Sequence, residues 1–209
     1  MKFILSFISF FCFFQIHAQK RLSEGSILFN VTMTDNEIKS AGETTMLQRV
    51  KGGHYRSELT NEIGKTVTIY DLRDGTGAIL KEFGTQKIMI PLNKKQWTAR
   101  IQKKDSVVFN VLEETKEILG YVCKRAEAKT GSGNLTIVYF TTQIVPENWD
   151  IELQFSKLGG FVLEYESIIG SSKINYLATS LNFDPVPIQK FDLPQSGYRL
   201  SEYEKSNKN

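Results

Sequence analysis

Residues 43–83, ETTMLQRVKGGHYRSELTNEIGKTVTIYDLRDGTGAILKEF, decide the fold. Glu43 to Val50 and His54 to Thr60 flank Gly52-Gly53, and Thr66 to Leu72 and Gly77 to Phe83 flank Asp74-Gly75. Two-residue glycine turns between runs of this length specify β-hairpins, because the turns that match strand twist need positive φ at their central residues.

The pattern extends outward on both sides. Ser26 to Thr34 alternates, with Ile27, Phe29, Val31 and Met33 on one face, while Leu28 breaks the polar face and implies partial cover there too. Lys87 to Leu92 follows Gly84-Thr85-Gln86, and Pro91 suggests a strand end. Further strands are expected at Val107 to Thr115, Tyr121 to Lys129, Asn134 to Thr142, Asp150 to Phe155, Phe161 to Ile168 and Lys173 to Phe183. The segment Asn93 to Lys104 differs: Asn93 can cap a short helix, and Trp97 and Ile101 share one face of it. The chain therefore reads as mainly β, an antiparallel meander curled into a half-open barrel with a short helix or lid. Two sandwiched sheets are the alternative architecture.

Composition narrows the function classes. With 209 residues, 41% hydrophobic and 23% charged, the chain is neither disordered, collagen-like nor a coiled coil. A formal charge of +3 from mixed charges argues against a nucleic-acid partner. No glycine-rich phosphate loop opens a helix and no βαβ alternation is present.

The N-terminus has the layout of a secretory signal peptide: Lys2, then an apolar run from Phe3 to Phe14, then Gln15-Ile16-His17-Ala18 with Ala18 at the cleavage position. The run is shorter than the roughly 20 residues a bilayer needs. The expected organisation is 1–18 signal peptide, 19–195 a single β domain and 196–209 a flexible C-terminal tail. The mature chain is expected to be exported, periplasmic or outer-membrane-associated, soluble and not membrane-spanning. Cleavage removes Lys2, lowering the charge from +3 to +2, and leaves Cys123 and His54 as the single cysteine and histidine. One thiol cannot form an internal disulfide, and one Cys with one His is a poor zinc set, so neither metal nor cofactor is expected. A Ser-His or Cys-His enzyme would have to use His54, which follows a glycine turn. Glu113, Glu114 and Glu117 read as a solvated loop or strand edge, and Glu164 and Glu166 as the polar face of a strand. No catalytic residue is assigned. The basic doublets Lys94-Lys95 and Lys103-Lys104 flank the helix and read as solubilising charge, with anionic head groups the alternative.

The stretch Lys116-Glu117-Ile118-Leu119-Gly120-Tyr121-Val122-Cys123-Lys124-Arg125-Ala126 resembles a signature of Bacteroidetes exported proteins of unknown function, including the GLPGLI family. Val138 to Ile144 and Phe155 to Glu164 resemble that family's two downstream segments. Gly159 stands where the name-giving proline should be, and Phe161-Val162 replace Leu-Ile. Such proteins are similar in layout to the lipoprotein-carrier fold, a half-open barrel whose concave face takes acyl chains under a helical lid. The resemblance implies an envelope binding protein rather than an enzyme. Asp105-Ser106-Val107 also resembles a short Bacteroidetes O-glycosylation acceptor, at Ser106.

The function expected is binding of a lipid or other apolar ligand. The candidate lining is Phe29, Val31, Met33, Ile137, Tyr139, Leu163 and Tyr165, with Trp97 and Ile101 as lid contacts. The same residues would form the core of an envelope interaction or assembly factor without a small ligand, which is the alternative.

Overall fold

A computed structural model describes residues 19–35, 38–39, 43–102, 107–129, 133–148, 153–170 and 172–203. The expected signal segment 1–18 and the Ser106 acceptor lie outside these. The strands are β1 (Lys20–Leu22), β2 (Glu24–Asp35), β3 (Ile38–Lys39), β4 (Thr44–Lys51), β5 (His54–Asn61), β6 (Gly64–Asp71), β7 (Thr76–Phe83) and β8 (Gln86–Asn93). Helix α1 (Lys94–Gln102) follows, and then come β9 (Val108–Ile118), β10 (Tyr121–Lys129), β11 (Leu135–Thr141), β12 (Ile144–Pro146), β13 (Phe161–Ile169), β14 (Ser172–Asn182) and β15 (Arg199–Leu200). No described helix is long and apolar enough to cross a membrane.

The main sheet runs β15-β8-β7-β6-β5-β4-β2-β14-β13-β11-β10-β9, with β3 beside β2. It is an open, curled, nearly all-antiparallel sheet with one short α-helix, as the sequence led one to expect. It is built from two meanders, β2 to β8 and β9 to β14, joined where β2 pairs with β14. The meander is therefore not a single run. β8 and β9, adjacent in sequence, stand towards opposite edges of the sheet. A second ribbon pairs β1 with β12 in parallel.

Two local expectations are corrected. Pro91 does not end its strand; β8 continues to Asn93, because past Met89 it is an edge where a missing N–H removes no required ladder bond. The region expected as a strand from Asp150 to Phe155 is instead a 3-10 helix over Leu153–Leu158, residues 150–152 lying outside the described ones. Three residues per turn stack Phe155 above Leu158, and both bury against Val138, Phe140 and Val162.

Helix α1 starts where expected. Asn93 Oδ1 accepts from the Gln96 backbone N–H and Gln96 Oε1 from that of Asn93, each at 2.9 Å, a reciprocal capping box. Trp97 anchors it, with its ring stacked on Tyr70 at 4.0 Å and tilted against Tyr55 at 6.1 Å. Opposite Tyr70 stands Gly77. A Cβ there would sit 2.2 Å from the Ile69 carbonyl oxygen and 2.7 Å from the Tyr70 ring. Gly77→Ala should therefore cost about 2–3 kcal/mol, a clash the backbone must move to relieve. It should also weaken the near-UV circular dichroism of the Trp97–Tyr70 stack. A variant with unchanged midpoint and spectrum would contradict this packing.

Strands β6 and β7 are covered on both faces, which explains the continuous apolar run Ala78-Ile79-Leu80. Tyr70 and Ile79 face α1, while Val67, Ile69, Ala78 and Leu80 face Leu193 and Tyr198 of the C-terminal segment. That segment crosses the outer face as a strap. Glu24 accepts from the Val186 N–H, Arg56 donates to the Lys190 carbonyl at 3.1 Å, and Tyr198 hydrogen-bonds Glu82. Arg199–Leu200 then pairs with Ile88–Met89, so residues 196–203, expected to begin a tail, are tied to the sheet.

Candidate functional site

The inner face of the curl is decided by the strand register. Phe29 stands opposite Met46 on one side and Ala178 on the other, and Val31 opposite Tyr176. Tyr165 pairs with Tyr176, their rings stacked at 4.4 Å, and meets Phe29 edge-on at 6.0 Å and Phe155 at 5.1 Å. Helix α1 covers this face over β5 and β6, and the 3-10 helix covers it over β10, β11 and β13. Between the two covers lies an apolar strip of Met46, Leu59, Tyr165 and Tyr176, half-buried except for Met46, with exposed Met33 at its end.

The structure brings five of the candidates together on this face: Phe29, Val31, Met33, Leu163 and Tyr165. Phe29 and Leu163 are wholly buried, so they form floor rather than lining. Trp97 is buried beneath α1, and the Ile101 side chain lies outside the described positions. Ile137 and Tyr139 face the other way. Val138 is the residue opposite Tyr165, while Tyr139 stands opposite Glu164 and Ile137 opposite Glu127. The run Leu135-Thr136-Ile137-Val138-Tyr139-Phe140 is apolar on both parities, and a shift of one residue exchanges the faces.

Tyr139 belongs to a polar ladder on the outer face. Its hydroxyl donates to Glu114 at 2.9 Å, Arg125 reaches Glu114 at 2.8 Å, and Lys116 lies 3.9 Å over the Tyr139 ring while pairing with Glu164. Glu114 sits on the edge strand β9, where the register with β10 also breaks between Lys124 and Ala126. Charge and irregularity blunt this edge against strand addition. Cys123 is buried, and desolvation pushes its thiol up to about 11, so it is protonated at neutral pH.

His54 is not loosely exposed beside its turn. Its Nδ1 lies 3.2 Å from Asp71, its Nε2 is 2.5 Å from Arg73 Nη2, and its ring lies 5.5 Å from that of Phe191. Both ring nitrogens thus meet protein groups, a structural role at the strap. No group of three His, Cys, Asp or Glu among the described residues could hold a metal ion.

Glu58, also under the strap, is ringed by Arg49, Arg56 and Lys65. Burial alone would raise its pKa, but hydrogen bonds and charge from Arg56 and Lys65 outweigh that and lower it from 4.5 to about 2. The folded pKa lies below the unfolded one, so this contribution is complete above pH 4.5 and is lost as pH falls towards 2. Glu58→Gln should flatten the stability–pH curve in that window, measured by urea midpoints. An unaltered curve would contradict the assignment.

One inner-face residue carried no signal in the motif reading. Gln48, on β4 between Met46 and Val50, is a polar side chain on an otherwise apolar side of that strand. The polar position in that alternation was its trace. Its Nε2 points to Tyr55 Oη at 3.4 Å and Met46 Sδ at 3.9 Å.

No family model matches the chain, and no curated protein matches it in sequence. Solved structures resemble it only distantly. PNGF-II is 16% identical over 87% of this chain, with a TM-score of 0.47, and the chain spans 31% of PNGF-II's own length. An uncharacterized conserved protein from Thermus thermophilus is 7% identical, with 85% of this chain and 90% of that one covered and a TM-score of 0.48. An outer membrane lipoprotein-sorting protein domain from Vibrio parahaemolyticus is also 7% identical, covering 83% and 91%, with a TM-score of 0.39.

Proposed function

We propose that the protein is an exported, non-enzymatic binding protein of the cell envelope that holds an apolar ligand, a lipid or acyl chain, on the inner face of its half-barrel. The observation that carries this is the half-buried strip of Leu59, Tyr165 and Tyr176 beside exposed Met33, left open between two helical covers. Apolar surface laid there is removed from water at about 25 cal/mol per Å², and the buried floor of Phe29, Val31 and Leu163 keeps the strip rigid. The secretory layout of residues 1–18 and the GLPGLI-like stretch from Lys116 to Glu166 support the same reading.

Organic extraction of protein purified from the envelope, followed by mass spectrometry, tests it. A lipid recovered in near-stoichiometric amount is expected, and Tyr176→Asp should abolish it. Empty protein that also fails to take up an apolar dye would overturn the reading.

The filled floor favours a second reading, an envelope interaction factor with no small ligand. One envelope protein that co-purifies stoichiometrically with lipid-free protein would select it.

A further inference from the structure

We infer that the apolar ligand carries an anionic head group, a carboxylate or a phosphate, and that Lys81 on the inner face receives it with Thr66 alongside. This rests on the apolar-ligand reading and narrows its ligand class.

The strand register sets the geometry. One row of mutually opposite residues crosses the inner face from β2 to β8: Phe29, Met46, Leu59, Thr66, Lys81 and Ile88. Phe29 belongs to the buried floor, and Met46 and Leu59 to the apolar strip. Lys81 stands two strands beyond Leu59, about 10 Å away at the usual strand spacing. Its face is that of Ile79, which packs under α1, whereas Leu80 and Glu82 on either side of it face the strap. Helix α1 covers Tyr70, Ile79 and Leu92 and stops short of this row, so Leu59, Thr66, Lys81 and Ile88 are only half-buried. A chain lying across Met46 and Leu59 thus brings its end to Lys81.

Two observations make that end an anion. On this face of β4 to β8 no residue other than Lys81 is charged. The other three lysines of these strands, Lys51, Lys65 and Lys87, each pair with a glutamate on the opposite face. Lys81 has no ion pair or hydrogen bond among the described residues, and neither has the Thr66 hydroxyl opposite it. A carboxylate or phosphate oxygen accepts from the ammonium and from the hydroxyl together. The contact is charge-assisted, and at the border of an apolar strip it is screened less than a fully exposed pair. An alcohol end gains no charge interaction there, and an ammonium end is repelled.

The test uses the purified protein and displacement of bound N-phenyl-1-naphthylamine by hexadecanoate, hexadecyl phosphate and 1-hexadecanol. At least one of the two anions should displace the dye at a concentration about tenfold lower than the alcohol, and whichever does so identifies the oxyanion the site takes. Lys81→Met and Lys81→Gln should each erase that advantage, Lys81→Glu should reverse it, and Lys81→Arg should keep it. An alcohol as effective as both anions, or an advantage that survives in the two neutral variants, would overturn the inference and leave the apolar-ligand reading standing. Wild-type protein that binds neither dye nor chain would overturn both.

Discussion

Replacing Phe29 with alanine should remove about 3–5 kcal/mol of folding stability. Phe29 is 1% exposed and lies on β2, the strand that joins the two meanders through β4 and β14. Its ring packs edge-on against Tyr165, which is itself held by stacking on Tyr176 and by contact with Phe155. The surrounding side chains sit on hydrogen-bonded strands on both sides, so the cavity cannot collapse, and the cost belongs at the upper end for a large-to-small change. Urea unfolding should show a lower midpoint with an unchanged slope. Met33→Ala, on the same strand face but 42% exposed, should cost less than about 1 kcal/mol and serves as the control. Similar losses for the two variants would mean that the inner face is not packed as described.

Ending the chain after Asp184 should abolish cooperative unfolding altogether. The deletion strips Phe191, Leu193 and Tyr198 from the outer face and exposes Val67, Ile69 and Leu80, which are now at most 4% exposed. Those three side chains alone represent about 1.5–3 kcal/mol each, a sum comparable with the whole stability of a typical domain. The deletion also removes the Val186 contact with Glu24, the Lys190 contact with Arg56 and the β15–β8 pairing. The truncated chain should bind the dye ANS and lose its sharp thermal transition by circular dichroism. Leu193→Ala, removing one strap contact, should fall between. A truncated protein that melts like the full chain would show the strap to be an ornament on a self-sufficient sheet.

Most of the hairpins were legible because their signals are local. Gly52-Gly53 and Asp74-Gly75 join β4 to β5 and β6 to β7, and β10 and β11 form the third expected pair. The inward set on β2, Ile27, Phe29 and Val31, was equally plain, since that strand has one polar and one apolar parity over most of its length. The candidate site was legible where this contrast held and failed where it did not. On β11 both parities are apolar, so Ile137 and Tyr139 were placed inside when Val138 and Phe140 occupy that side. At Leu153 to Phe155, the end of an alternating segment expected as a strand, the chain forms a 3-10 helix because Phe155 and Leu158 have a face to cover that only the assembled sheet presents.

The amino-acid order by itself determined most of the extended segments, the turns between neighbours and the capped start of α1, because each depends on residues within a few positions of one another. Tertiary structure alone decided that β2 pairs with β14 across most of the chain, that β8 and β9 part to opposite sides of the sheet, and that residues 184–203 cover β6 and β7. It also decided that Lys81 stands in register with the apolar strip. These outcomes follow from which surfaces remain to be buried once the hairpins exist, a competition between distant segments that a period-two pattern does not encode.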